Sequence, residues 1–296
     1  MKRFLQILRF IREHPLAGRN LLKAYWRFFS WQFSQRLSPH TAVYQFTPHS
    51  KLALKRKLIG ATGNLYVGLH DFSEMGFLLH FLRPNDLFAD IGANVGTYTV
   101  LASGEIKARS LSFEPIPSTA DWLRKNIEVN KMGHLVQVFP IGLGSKQDVI
   151  RFTSDFDAEN RVVSKFEEKD HYLEVKVESF DSLFYPDTVP ALMKIDVEGF
   201  ETEVLKGMGK TLADTRLKAI IIELNGSGYR YGFDEKQIHQ DLLDAGFQPY
   251  SYDPFSRQMQ QLSTFGSNNT IYMRDLDFIR MRLRDAGKLK IFGQVF

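Results

Sequence analysis

Between Asp86 and Met273, short β-branched runs of strand length alternate with amphipathic segments of helix length, the pattern of a parallel sheet covered by helices. Strands are expected at Asp86 to Ile91, Arg109 to Glu114, Leu135 to Phe139, Ala191 to Asp196, Lys218 to Leu224, Phe247 to Tyr252 and Thr270 to Met273. Helices fall between them, at Gly96 to Ser103, Ser118 to Asn130, Phe200 to Met208 and Asp234 to Ala245. Pro115 and Pro117 stop the second strand and precede a helix, where proline is tolerated. Two further strands, Val149 to Thr153 and Tyr172 to Val177, flank a polar loop, Ser154 to Asp170, read as an insertion on the substrate side. With 296 residues and 44% hydrophobic content the chain can bury a full core.

The first strand runs into Asp90-Ile91-Gly92-Ala93-Asn94-Val95-Gly96. In an open α/β sheet ligands bind at the carboxyl ends of strands, where the strand order reverses. Gly92 and Gly96 permit a tight turn and close approach of a ligand, and the helix start beyond them offers free amides to an anion. Dinucleotide enzymes need a second glycine where a pyrophosphate meets the backbone, and here Asn94 stands in its place. S-adenosyl-L-methionine carries an amino-acid carboxylate and no pyrophosphate, so the substitution favours it. Asp90, Gly92, Ala93, Asn94 and Gly96 are the expected cofactor loop. Glu114, a little over 20 residues further on, ends the second strand where an acid can accept hydrogen bonds from both ribose hydroxyls. Pro115 follows it, and Ile141-Gly142 after the third strand is expected to flank adenine.

Lys194 and Asp196 interrupt what should be a continuous apolar strand and share one face by the period of two. Buried charges are costly unless paired or used, and this strand should end beside the cofactor loop. Asp196 and Glu198 are therefore the candidate acceptor-side carboxylates, with Lys194 positioning them; Glu201 reads as an ordinary acid of a helix's first turn. Asp196, Glu198 and Glu223 could in principle converge on a magnesium ion. Acidic strand ends are common in such sheets and no histidine ligand pattern accompanies them, so no metal ligand is assigned. His70, His80 and His239 are weaker candidate bases.

The cofactor loop, Phe113-Glu114-Pro115 and the segment Lys194-Ile195-Asp196-Val197-Glu198-Gly199-Phe200-Glu201 together resemble the FkbM-type methyltransferases, from about Leu65 to Met273. The resemblance implies a Rossmann-like class I α/β fold, a seven-stranded and mostly parallel sheet with helices on both faces. It also implies methyl transfer from S-adenosyl-L-methionine to a hydroxyl of a sugar or natural product, a glycan acceptor being the better reading because many members are encoded with polysaccharide-building enzymes. The family pattern places an acid ahead of the first strand, which Glu74 matches and which could reach the cofactor. A nucleic-acid methyltransferase would want a basic aromatic groove and an Asn/Asp-Pro-Pro-Tyr type motif, both missing from the catalytic region. A retired, non-catalytic Rossmann domain is opposed by the intact glycines, Glu114 and Asp196.

The chain divides into a helical extension (1–40), the methyltransferase domain (41–275) and a tail (276–296). From Met1 to Leu37 eight basic residues face Glu13 alone, leaving the remainder mildly acidic although the whole carries +4. Phe4, Ile7, Leu8 and Ile11, then Leu21, Leu22, Tyr25, Trp26, Phe28, Phe29, Trp31 and Phe33, predict two amphipathic helices. The favoured reading is that they cap the domain or join two copies; the second is peripheral contact with an anionic membrane. No run reaches the roughly 20 apolar residues of a membrane span and no signal-peptide core precedes it. Without cysteine there is no disulfide, and the expected location is cytoplasmic.

Overall fold

The computed structural model describes residues 2–37, 41–55, 59–153, 162 and 172–296. The polar loop expected at Ser154 to Asp170 lies outside them apart from Val162.

Two helices, α1 (Lys2–Glu13) and α2 (Leu21–Leu37), form an outer layer over α3 (Ile59–Val67). Ile11, Ala17, Ala24 and Phe28 bury themselves against Tyr66 and Val67. His14 fixes the turn between α1 and α2 with a 2.7 Å hydrogen bond between its Nε2 and the Leu69 carbonyl. Burial lowers its pKa to about 4, so the ring is neutral and donates. Arg27 donates to the Tyr66 carbonyl at 2.9 Å and lies over the Phe292 ring. The inner faces of the layer thus cap the domain; its outer face does not. No helix among the described residues is long and apolar enough to cross a membrane.

Before α3 comes a hairpin without counterpart in the sequence reading, β1 (Ala42–Thr47) paired antiparallel with β2 (Ser50–Leu54). The helix α4 (Phe72–Phe81) then leads to β3 (Leu87–Ile91), α5 (Thr97–Thr99) with its continuation as a wider π turn at Val100–Glu105, β4 (Arg109–Phe113), α6 (Pro117–Val129) and β5 (Val136–Phe139). The two segments flanking the polar loop, β7 (Asp148–Thr153) and β8 (Tyr172–Glu178), join β6 (Gly142–Leu143) in a separate small sheet of order β6-β8-β7. The helix α7 (Phe180–Phe184) returns the chain to β9 (Leu192–Ile195), followed by α8 (Glu201–Lys206), α9 (Gly209–Ala213), β10 (Ala219–Glu223), α10 (Glu235–Asp244), β11 (Gln248–Asp253), β12 (Gln258–Gln261) and β13 (Asn269–Met273).

The central sheet has the order β12-β11-β13-β10-β9-β3-β4-β5. From β5 to β10 the strands are parallel; β13, β11 and β12 run antiparallel to their neighbours. All seven expected strands are present, and β12 adds an eighth at the edge. Its sequence, Gln-Met-Gln-Gln, has no alternation to read; backbone pairing with β11 makes it a strand. From β3 the chain moves outward to β4 and β5, then crosses back to β9 and β10, so the order reverses between β3 and β9.

Alternate residues of β3 enter opposite cores. Phe88 faces the cluster built on α4 with Phe77, Phe81 and Leu101, whereas Ala89 and Ile91 face the one holding Val204, Ile238 and Phe247. In register, Asp90 lies beside Lys194 and Ile91 beside Ile195, which places the strand's charges on the α4 side. Beyond the sheet, α11 (Leu276–Arg284) and a short pair, β14 (Lys290–Ile291) and β15 (Gln294–Val295), return to that side. Ile279, Ile291 and Phe296 share the buried cluster of α4.

Candidate active site

The loop after β3 is shaped by three consecutive demands on its backbone. Gly92 has φ +79°, and a Cβ there would sit 1.8 Å from the Asp196 carbonyl oxygen. Only glycine lets the ends of β3 and β9 approach so closely. Asn94 adopts φ +51°, a conformation asparagine tolerates because its amide oxygen accepts locally, here from the Val95 amide at 2.8 Å. Gly96, at φ +86°, starts α5, and Leu123 of α6 fills the space where its Cβ would be. The Gly92 and Ala93 amides donate to the Phe113 carbonyl. Asn126 of α6 holds the loop from behind, donating to the Val95 carbonyl and accepting from the Ala53 amide of β2.

Glu114 follows β4 and is buried. One carboxylate oxygen accepts from the Asn94 amide and the other from the Ile116 amide, both at 2.9 Å. Burial outweighs these two donors and raises its pKa to about 7. Each oxygen keeps a further lone pair, so the ionised group can still accept from a diol. Gly92, Asn94, Glu114, Pro115, Ile141, Gly142, Asp196 and Glu198 together line one cavity. Its apolar wall is Phe113, Ile116, Leu143, Ile150 and Phe152, the last two from β7 of the small sheet. The cavity thus joins a buried carboxylate at Glu114 to an apolar slot that includes Ile116 and Ile141.

Other residues of the expected set stand behind that cavity. Asp90 is turned inward and accepts from the Thr99 amide and hydroxyl at 3.0 and 2.6 Å; Thr99 also meets Ser112. Asp90 therefore ties the loop to α5. Burial raises its pKa to about 6. Ala93 is buried and Gly96 caps the helix, so both act through loop shape. Glu74, in the first turn of α4, lines a different cavity with His14, His70, Asp71 and Tyr252. Burial and the charge of Asp71 raise its pKa to about 7. The position of α4 on the sheet's face puts Lys194 within its electrostatic reach instead.

Lys194 is 3% exposed, and its Nζ lies 2.7 Å from Asp196 Oδ2 and 5.0 Å above the Tyr98 ring. Burial works against its charge, but Asp196, Asp71 and Glu223 outweigh burial and raise its pKa. The Tyr98 hydroxyl donates to Asp71 at 2.9 Å. Asp196, Glu198 and Glu223 bring carboxylate oxygens within 4.8 Å of one another, among the described residues the one such group of metal-ligand type. Burial, then the charge of Asp196, pushes the Glu223 pKa up to about 8. Lys194 answers part of the trio's charge from within the protein.

Glu198 has φ +56° and Gly199 +102°, a left-handed pair ending in a glycine whose Cβ would meet Ser227 at 2.7 Å. Glu201 holds this turn. Its carboxylate reaches back to accept from the Val197 and Gly199 amides at 3.1 and 3.2 Å, so it positions Glu198 as well as beginning α8. Tyr98 and Asp71 went unread in the sequence because their partnership spans 27 residues; the tyrosine following the cofactor loop was the available signal. The histidines are engaged elsewhere: His80 with the Tyr252 hydroxyl at 2.6 Å and His239 with the Tyr272 hydroxyl at 2.7 Å, while His70 stands beside Phe10.

A sheet of this order, with a glycine loop at its switch point, an acid ending the second strand and charges ending the fourth, defines a class I S-adenosylmethionine-dependent methyltransferase domain. Residues 90–249 match the methyltransferase FkbM domain, and the chain belongs to that family. It is 32% identical over 170 residues to the hexuronic acid methyltransferase AglP of Haloferax volcanii, a match covering 57% of this chain and 66% of that protein, just under two thirds of its length. Methyltransferase sdnD of Sordaria araneosa is 28% identical over 209 residues, covering 60% of this chain and 79% of that one. A solved methyltransferase FkbM from Methylobacillus flagellatus aligns with TM-score 0.45 at 16% identity, over 74% of this chain and 55% of that chain.

Proposed function

We propose that this chain methylates an oxygen of a sugar, in a glycan or glycolipid, with Asp196 as the proton acceptor. The observation that carries the reading is the placement of Asp196: it lines the cofactor-loop cavity while the buried Lys194 ammonium grips one of its oxygens. S-adenosylmethionine supplies a methyl group already activated by its sulfonium, which leaves the protein to align the acceptor and take its proton. Gly92, Asn94 and Glu114 hold the donor side. Asp196 and Glu198 face the acceptor, Lys194 holding Asp196 in place and Glu201 keeping Glu198 aimed. The sugar is favoured because the hexuronic acid methyltransferase is a relative at 32% identity and because adjacent carboxylates are good acceptors for a sugar's hydroxyls.

The test is an acceptor panel of hexuronic acids, neutral sugars and their oligomers, with labelled methyl donor and purified full-length protein. Methyl transfer to a sugar as an alkali-stable ether is expected, and Asp196→Ala should lower turnover by about 10²- to 10⁴-fold while leaving S-adenosylhomocysteine binding measurable. An alkali-labile methyl ester would overturn the role of Asp196, since a carboxylate needs no base. Turnover confined to non-sugar acceptors would overturn the substrate class in favour of a small-molecule O-methyltransferase.

A further inference from the structure

Among the described residues, the outer face of α2 carries five of the exposed large apolar side chains. Leu22, Trp26, Phe29, Phe33 and Leu37 recur at helical spacing on one side, opposite the buried Ala24 and Phe28. They are 86%, 70%, 50%, 66% and 70% exposed. Phe4 of α1, also exposed, lies 6.3 Å from Phe29 and extends the stripe. Trp26, Phe29, Phe33 and Arg36 outline a shallow groove along it.

The cations of this region divide by task. Arg19 covers the Phe255 ring and Arg27 grips the Tyr66 carbonyl, fastening the layer to the domain. Lys23 and Arg36 are exposed on either side of the stripe, and Arg9 and Arg12 are exposed on α1. An apolar stripe edged by cations suits a surface that is apolar inside and anionic at its boundary. A second copy of the chain would instead bring two strongly basic segments together. A helix of 17 residues with flanking charge is too short to span a bilayer and suited to lying in its plane.

We infer that the outer face of α2, with Phe4, seats the protein on an anionic lipid bilayer. This surface also bears on the catalytic centre: Trp31, on the domain side of α2, packs in one cluster with Leu65 and with Val95 of the cofactor loop. The inference stands on the exposed stripe and its charges and is independent of the acceptor's identity.

Full-length protein mixed with vesicles of phosphatidylcholine, alone or equimolar with phosphatidylglycerol, tests it by flotation. Binding to the anionic vesicles, weakened by salt, is expected, together with a shift of tryptophan emission to shorter wavelength that Trp26→Phe diminishes. The pair Trp26→Ser and Phe33→Ser should weaken binding by at least about ten-fold with S-adenosylhomocysteine affinity unchanged. Lys23→Glu with Arg36→Glu, which spares the stripe, should do likewise. Wild-type protein that stays unbound, or variants that bind as tightly as wild type, would overturn the inference. So would a dimer in sedimentation equilibrium that the serine pair dissociates while vesicle binding is missing, because the stripe would then be a contact between copies.

Discussion

The two sides of the cavity are built by different means. On the side proposed for the donor, Gly92, Asn94 and Glu114 are held by backbone amides and carbonyls of the loops that carry them, so the geometry is set by local turns. On the side proposed for the acceptor, Asp196 and Lys194 at the end of β9, Glu223, Asp71 and Tyr98 come from four separate places and are held by one another's charge and hydrogen bonds. A backbone-held site is rigid but depends on particular dihedral angles. A charge-held site tolerates small movements yet depends on every charge being answered.

Gly92→Ala is the most severe way to attack the donor side. With a Cβ 1.8 Å from the Asp196 carbonyl and a left-handed φ, the substitution should cost more than about 4 kcal/mol and separate β3 from β9. A large fall in melting temperature with loss of S-adenosylhomocysteine binding is expected; a stable variant that binds normally would show that the loop is softer than its contacts indicate. Lys194→Met attacks the other side, leaving Asp196 and Glu223 without their buried cation. Since Asp196 remains a third exposed, a loss of about 2–3 kcal/mol is expected, with turnover falling far more than donor binding. Equal losses of both would mean that the two sides are not separable.

Glu114→Gln is milder and sharpens the comparison through pH. Burial has raised the pKa of Glu114 to about 7, so its contribution to the stability of the empty protein is present at low pH and lost as pH rises through about 7. The ionised carboxylate is the better acceptor for a diol. Ligand affinity should therefore climb through the same range, widening the melting-temperature gain that S-adenosylhomocysteine gives. Titration calorimetry on Glu114→Gln should show about ten-fold weaker binding and a flattened pH profile; an unchanged profile would remove Glu114 from the ribose. Tyr98→Phe, the smallest change, frees Asp71 from one hydrogen bond and should cost about 1 kcal/mol of stability with a modest loss of turnover, readable by chemical denaturation beside an activity assay.

How legible each side was follows from the same distinction. The donor loop could be read because its requirements are local: Gly92 and Gly96 stand where left-handed backbone is needed, and Glu114 ends a strand at a fixed spacing. The fastening of Asp90 to Thr99 was not legible there, since Thr99 becomes its neighbour only when α5 folds back on β3. Lys194 and Asp196 announced themselves as charges in an apolar strand. Nothing in their spacing pointed to Asp71 or Tyr98, and Glu201 read as a helix-dipole acid because its reach back to Val197 and Gly199 depends on the left-handed turn at Glu198. The amphipathic pattern of α2 predicted a helix but could not say which aromatics the domain would cover. Packing against Tyr66 and Val67 took Phe28 and left Trp26 outside.

By itself, the sequence determined the alternation of strands and helices, the glycine turn after the first strand and the family, because period-two and helical patterns and glycine dihedrals are properties of neighbouring residues. Only the tertiary structure decided that Glu74 faces a second cavity, that burial beside Asp196 raises the pKa of Glu223, and that the edge strand β12 exists. Those outcomes depend on which elements the sheet order brings together and on how deeply a charge is buried once they meet, quantities that no window of consecutive residues contains.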